Sequence, residues 1–176
     1  NIRIGEVVES DTSHFSAQCY NLYEAPPLGA IVRTRITSDD NTSLESSYAV
    51  VYSVSTKSLD PGRPIIARGQ LEEHEEDVYR SNPQLSRLLA TRFEALLVGY
   101  SLTAIVNYSP PPLPPRIYAF VYQCTPDEIK TFTSTLDFIH LLVTSRLPTA
   151  DEAIVACLRQ ASFHHHDPHT FLVTAG

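Results

Sequence analysis

The spacing of apolar residues changes period along this chain, and that change limits the possible folds more than any other feature. Over roughly the first seventy residues apolar positions recur every second residue, the period of a strand whose side chains point alternately to opposite faces. Phe15, Ala17 and Cys19 alternate with Ser16 and Gln18, and Tyr48, Val50, Tyr52 and Val54 share one side of a segment whose other side carries Ala49, Val51 and Ser53. Further on, steps of three and four take over, as in helices packed along one stripe. The predicted fold class is α+β: the strand spacing is that of a small β-barrel or sandwich, with a C-terminal α-helical hairpin packed alongside.

Turn residues divide this pattern into elements. Residues 2–8 and 30–36 read as strands separated by Glu24-Ala-Pro-Pro-Leu-Gly29, where proline lacks a ladder donor and Gly29 can take positive φ. The polar stretch 37–47, with Asp39-Asp40-Asn41, reads as a hairpin loop, and Asp60-Pro61-Gly62 as a turn before a short strand at 64–68. Asn82 followed by Pro83 has the form of an N-cap and first-turn proline, with Leu85, Leu88 and Leu89 as the stripe. Together with 71–80 this predicts two short helices, an insertion at about 71–91. Apolar runs at 93–102 and 117–124 read as a strand pair bridged by the rigid, proline-rich stretch 109–115.

Thr125-Pro126-Asp127-Glu128 is a capping box, and Ile129, Phe132, Leu136, Ile139 and Val143 predict one continuous helix after it. A second box, Thr149-Ala150-Asp151-Glu152, opens a helix with Ile154, Val155, Cys157, Leu158 and Ala161 as its apolar side. The organisation is therefore a barrel over 1–124 with its helical insertion, a helical hairpin of the same unit over 125–162, and a tail over 163–176 whose residues 171–173 dock as a short strand.

Thirteen Lys plus Arg against twenty Asp plus Glu give a net charge of −7, which repels phosphate backbones and acidic membranes on average. Only Lys57 and Lys130 are lysines and the arginines are scattered, so no segment has the form of a nucleic-acid arm. Cys19, Cys124 and Cys157 are far apart and odd in number, which argues against a disulfide framework. With no apolar run of membrane-spanning length and no signal-peptide layout, the expected location is the cytoplasm.

Two clusters carry residue types suited to chemistry. The run Glu72-Glu73-His74-Glu75-Glu76-Asp77 has the carboxylates for a divalent cation or acid/base work, and on a helix Glu72 would share a face with Glu76. The competing reading is a solvated first turn favoured by the helix dipole. In the tail, His164, His166, Asp167 and His169 are the candidate metal ligands, imidazoles and a carboxylate of the kind zinc or nickel takes, against the alternative of a polar linker. Pro111 and Pro114 form the minimal Pro-x-x-Pro of SH3-type grooves, or simply part of a stiff crossover. No Gly-x-Ser-x-Gly elbow occurs, His14 and His140 stand alone, and each cysteine lies in an apolar segment, so no catalytic residue and no cofactor are expected.

The order of Ile4-Gly5-Glu6-Val7-Val8-Glu9-Ser10, Phe15 with Ala17-Gln18, Pro27-Leu28-Gly29-Ala30-Ile31-Val32 and Tyr48-Ala-Val-Val51 resembles the HAS-barrel family. That family is named for the β-barrel that begins HerA-type DNA-translocating ATPases and ATP synthase head subunits. Asn82-Pro83-Gln84-Leu85 and Pro114-Pro115-Arg116-Ile117-Tyr118 are similar to a stand-alone cyanobacterial branch of it. The resemblance implies that the fold is a small closed β-barrel of about six strands that serves assembly, with Gly5 and Gly29 in structural roles. The nucleotide-binding part of those ATPases has no counterpart here, since no Gly-x-x-x-x-Gly-Lys-Ser/Thr is present. The leading expectation is a non-enzymatic assembly or adapter module that self-associates or binds another protein. The alternatives are a nucleic-acid-associated module linked to DNA-translocating ATPases, which the net charge disfavours, and a small metal-dependent hydrolase.

Overall fold

A computed structural model describes residues 2–36, 45–102 and 105–175. Seven strands form one antiparallel sheet: β1 (Arg3–Ser10), β2 (His14–Cys19), β3 (Ile31–Ile36), β4 (Glu45–Ser58), β5 (Leu89–Leu102), β6 (Ile105–Asn107) and β7 (Phe120–Gln123). Their order is β2-β1-β7-β3-β4-β5, and pairing of β2 with β5 closes these six into a barrel, leaving β6 outside as a hairpin partner of β5. Closure leaves the six strands without a free edge along their paired lengths.

A barrel this narrow has room only for a mixture of large and small side chains. Its interior holds Val7, Phe15, Ala17, Val32, Ala49, Val51, Phe93, Ala95, Leu97 and Val121, with the Phe15 and Phe93 rings edge to face at 6.4 Å. Burying each such Phe contributes about 1.5–3 kcal/mol. Gly5 lies where β1 approaches β2 most closely: a Cβ there would sit 2.2 Å from the Gln18 carbonyl oxygen. The 14-residue strands β4 and β5 are the longest elements, and irregularities in their register at Tyr48/Ala49 and Val51/Ser53 bend the ribbon they form.

A second apolar layer lies outside the barrel. Ile31, Val50, Tyr52, Leu96 and Val98 face outward from β3, β4 and β5, and Phe132, Phe138, Leu142, Ala153 and Cys157 close over them. The covering residues come from α3 (Pro126–Phe132), α4 (Ile139–Thr144), α5 (Ala150–Ser162) and the turn that ends in Phe138. Phe132 stacks on Tyr48 at 4.7 Å and touches Tyr108 and Phe138. Gly29, at φ +80°, lets the α5 backbone rest on the chain: a Cβ would lie 2.4 Å from the Cys157 nitrogen. Thr149 Oγ1 donates to the Tyr52 carbonyl (2.6 Å) and Gln160 Nε2 to the Leu28 carbonyl (2.7 Å), tying both ends of α5 to the barrel.

The structure departs from the sequence reading at several points, each with a local cause. The helix expected from Ile129 to Val143 is two helices. Thr133 terminates α3, its hydroxyl donating to the Ile129 carbonyl, in a Thr-Ser-Thr stretch of weak helix formers, and Val143 faces solvent. Leu136 and Ile139 still pack on the outer layer, so the apolar period continued through a break in the helix, where Phe138, outside that stripe, is fully buried. The Thr125 box forms as read, with Glu128 N to Thr125 Oγ1 at 3.3 Å and Thr125 N to Glu128 Oε2 at 2.7 Å. The Thr149 box does not form: the Thr149 backbone, at φ −112° and ψ 20°, is not extended as that of Thr125 is, and its hydroxyl is turned to donate to the Tyr52 carbonyl. Val155, expected on the apolar side of α5, is exposed.

Asn82 is not an N-cap. Its backbone and side-chain nitrogens both donate to the Val78 carbonyl and close α1 (Glu75–Ser81); α2 (Leu85–Leu88) comes next, and Leu89 already belongs to β5. Residues 64–68 form no strand. The strand expected at 117–124 is confined to β7, because Tyr118 at φ 67° makes a turn ahead of it. The proline-rich stretch is a crossover from β6 to β7, which pairs with β1 and β3, and does not bridge a strand pair. The tail is helical: α6 (Pro168–Ala175) opens at Asp167, which accepts from the His169 and Thr170 amides, both at 3.1 Å. The expected Asp39-Asp40-Asn41 loop lies outside the described residues, although β3 and β4 pair up to Ile36 and Glu45 on either side of it. Among the described residues no helix is long and apolar enough to cross a membrane.

Candidate functional site

The barrel has two outer faces of different character. The helices seal one. The other, across β2, β1, β7 and the end of β3, is open and carries an alternating row of arginines and aromatic rings. Arg3 lies over Phe120 at 4.4 Å and Tyr20 at 5.5 Å from the ring centroids, while Arg33 and Arg35 lie over Tyr122 at 5.1 and 5.6 Å. The strand register makes this row: Tyr122 is paired with Arg3 on one side and Arg33 on the other. Arg33 is buried and its Nε lies 2.8 Å from Glu128 Oε1, so that charge is neutralised within the fold. Arg3 and Arg35 are exposed and have no ion-pair partner among the described residues. Tyr20 donates to Glu6 Oε1 (2.9 Å), and burial together with that hydrogen bond pushes its phenol pKa up. Ile2, Ile117 and Tyr118 add exposed apolar surface from the adjoining chain.

A second feature lies at the far end of the β4–β5 hairpin. Ser58 pairs with Leu89 and the Leu59 amide donates to the Leu88 carbonyl, so residues 59–88 leave and return at one point. None of them is buried, including every residue of α1 and α2. The excursion exposes Leu59, Ile65 (67%), Ile66 (66%) and Leu71 (94%) to solvent. A direct connection of two such strands needs only a two-residue turn, and long loops in compact domains are usually either functional sites or linker segments. It is attached to the barrel by the Tyr79 and Tyr23 hydroxyls, which hydrogen-bond with their rings edge to face at 6.2 Å; that bond, then burial, pushes the Tyr79 pKa up to about 12.

The acidic run lies on this excursion. Its helix starts only at Glu75, so Glu72 and Glu76 share no helical face, and Asp77 pairs with Arg80. The tail candidates occupy the turn between α5 and α6: Asp167 caps α6, and hydrogen bonds led by that from the Thr170 side chain lower its pKa. Among the described residues no group of three or more His, Cys, Asp or Glu is placed to hold a metal ion. The histidine that packs is His165, which was not a candidate. Its Nε2 lies 2.8 Å from Thr133 Oγ1, its ring stacks on Phe171 at 4.1 Å, and burial, then the nearby Lys130, lowers its pKa. It lines an open cleft of about 600 Å³ with Lys130, His166 and Asp167, to which no residue of the acidic run contributes.

The remaining candidates are structural. All three thiols are buried and held neutral by that burial, Cys19 up to about 11 and Cys124 and Cys157 up to about 12, far from the range of a nucleophile at neutral pH. Asp11, Ser13 and His14 do meet in a turn, but the same imidazole nitrogen faces both partners, Nδ1 at 2.9 Å from Asp11 Oδ2 and 3.1 Å from Ser13 Oγ. Acyl-transfer triads use one nitrogen for each. Pro111 is buried and Pro114 exposed, so the Pro-x-x-Pro is not free as a unit.

The arginine–aromatic row escaped the sequence reading. Its local signals, Arg33-x-Arg35 and Phe120-x-Tyr122 at strand period, are visible, but which strands stand side by side is not. No protein-family model and no curated protein matches this chain.

Proposed function

We propose that this chain is a non-enzymatic assembly module, a HAS-like barrel that works through its surfaces. The observation that carries this reading is the excursion 59–88, a segment with Ile65, Ile66 and Leu71 in water and no residue in the core. Three large apolar side chains left in water on one excursion support an interaction role for it. The open barrel face adds a second such surface, while the helical side is filled by the chain's own side chains.

The test is the size of the protein in a gently prepared lysate of its native cells, read by gel filtration with immunodetection. The wild-type chain should elute in a species larger than one copy. A variant in which 59–88 is replaced by an Asn-Gly turn between Ser58 and Leu89 should elute as a single folded chain. Elution of the wild type as one copy, or an assembly that survives the replacement, overturns the reading.

A further inference from the structure

We propose that the arginine–aromatic face of β1, β7 and β3 is the docking site for the excursion 59–88 of a second copy of this chain, in a head-to-tail contact. The proposal rests on the assembly reading and names the partner.

Charge complementarity carries it. In a chain with seven more acidic than basic residues, Arg3 and Arg35 stand on one face with no carboxylate partner among the described residues. Each is laid against a ring, a contact that favours one place for the guanidinium, and each side chain is exposed to solvent. The guanidinium fork fits a carboxylate in bidentate geometry. The same chain carries Glu72, Glu73, Glu75 and Glu76, also without an ion-pair partner among the described residues. Exposed apolar side chains accompany both members: Ile65, Ile66 and Leu71 on the excursion, and Ile2, next to Arg3, with Ile117 and Tyr118 in the turn that precedes Phe120. Arginine-bearing faces with aromatic residues also occur in single-stranded nucleic-acid sites, but there bases stack on free rings. Here guanidinium groups already lie over Phe120 and Tyr122, which favours carboxylates over bases as what the face reads.

The two surfaces are different parts of one chain, since α1 is tied to the barrel through Tyr23, beyond the end of β2. Docked head to tail, every pair leaves one face and one excursion unused, so assembly continues or closes into a ring. It is also salt-dependent, because both charged groups are exposed before docking.

Sedimentation velocity on the purified full chain tests this, with R3E/R35E and E72K/E73K as variants. The wild type should form species larger than one copy, weakened at least tenfold at about 1 M salt, where screening acts within about 3 Å. Each variant alone should sediment as a single chain. Their equimolar mixture should form a one-to-one pair, because one supplies an intact excursion and the other an intact face; that pairing also shows that both are folded. A mixture that stays monomeric, or variants that associate like the wild type, overturns the proposal. If the purified wild type is monomeric while the lysate species is larger than one copy, the self-docking is wrong and the assembly reading stands. If a fluorescent oligothymidylate binds the wild type and not R3E/R35E while the protein stays monomeric, the face belongs to nucleic acid and the proposal falls.

Discussion

The two outer faces of the barrel are built from the same sheet and differ in whether the rest of the chain covers them. On the helical face, outward residues of β3, β4 and β5 are aliphatic or aromatic, and α3, α4 and α5 bring Phe132, Phe138, Leu142 and Cys157 to meet them. On the open face the outward residues are Arg3, Gln18, Arg35, Phe120 and Tyr122, with Arg33 at its border buried against Glu128 of α3. A closed barrel needs only its interior to be apolar. One outer face is given to stability and the other, under the proposed docking, to contacts with a second chain.

Paired substitutions put that contrast at greatest risk. Phe132→Ala should cost about 3–5 kcal/mol, as removal of a buried aromatic ring does. Phe120→Ala, at a residue 40% exposed on the open face, should cost less than about 1 kcal/mol. Urea unfolding of both variants measures the difference, and equal losses would mean the open face is part of the core. Gly29→Ala comes next: left-handed backbone and a 2.4 Å approach to the Cys157 nitrogen should together remove about 2–4 kcal/mol. The effect should appear as loosening of α5, read by amide exchange, while the barrel strands stay protected.

The buried thiols give a pH dependence of definite sign. In the unfolded chain they ionise near their ordinary value of 9.0, and in the folded chain only near 11 to 12. The folded state therefore holds more protons above pH 9, so stability is full below that and falls as pH rises, by at most about 1.4 kcal/mol per unit per thiol. Urea midpoints from pH 8 to 10.5 should decline accordingly, and an aromatic disulfide reagent at pH 8 should label three thiols only after unfolding. Labelling of the native protein at the rate of the unfolded control would contradict their burial. The smallest expected effects again divide by face: Thr125→Ala should lose about 1 kcal/mol with its capping box, whereas Arg35→Ala on the open face should change stability by less than about 0.5 kcal/mol. The same urea titrations resolve the two.

The barrel was legible because its strands are half-buried and show it: Phe15, Ala17 and Cys19 alternate in sequence and all three point inward. Long, two-sided β4 was legible as covered on both faces, since Val50 and Val51 belong to different apolar layers. Local periodicity misled where the chain breaks without changing its apolar pattern, as between Phe132 and Phe138, and where a hydroxyl finds a distant partner, as Thr149 does on Tyr52. The open face was not legible at all. It depends on β7 lying between β1 and β3, a placement set by closure of the barrel, and neither Arg33-x-Arg35 nor Phe120-x-Tyr122 carries that information alone.

Whether one face and one excursion are kept free for assembly is addressed most directly by hydroxyl-radical footprinting of the protein within its lysate assembly, against the diluted purified chain. Protection is expected in the assembly at Ile65, Ile66 and Leu71 and at Tyr118, Phe120 and Tyr122, with the solvent-facing Val143, Val155 and Phe163 of the helical side unchanged. Protection at Val143, Val155 and Phe163 with the excursion and the arginine–aromatic row still reactive would contradict assembly through these surfaces.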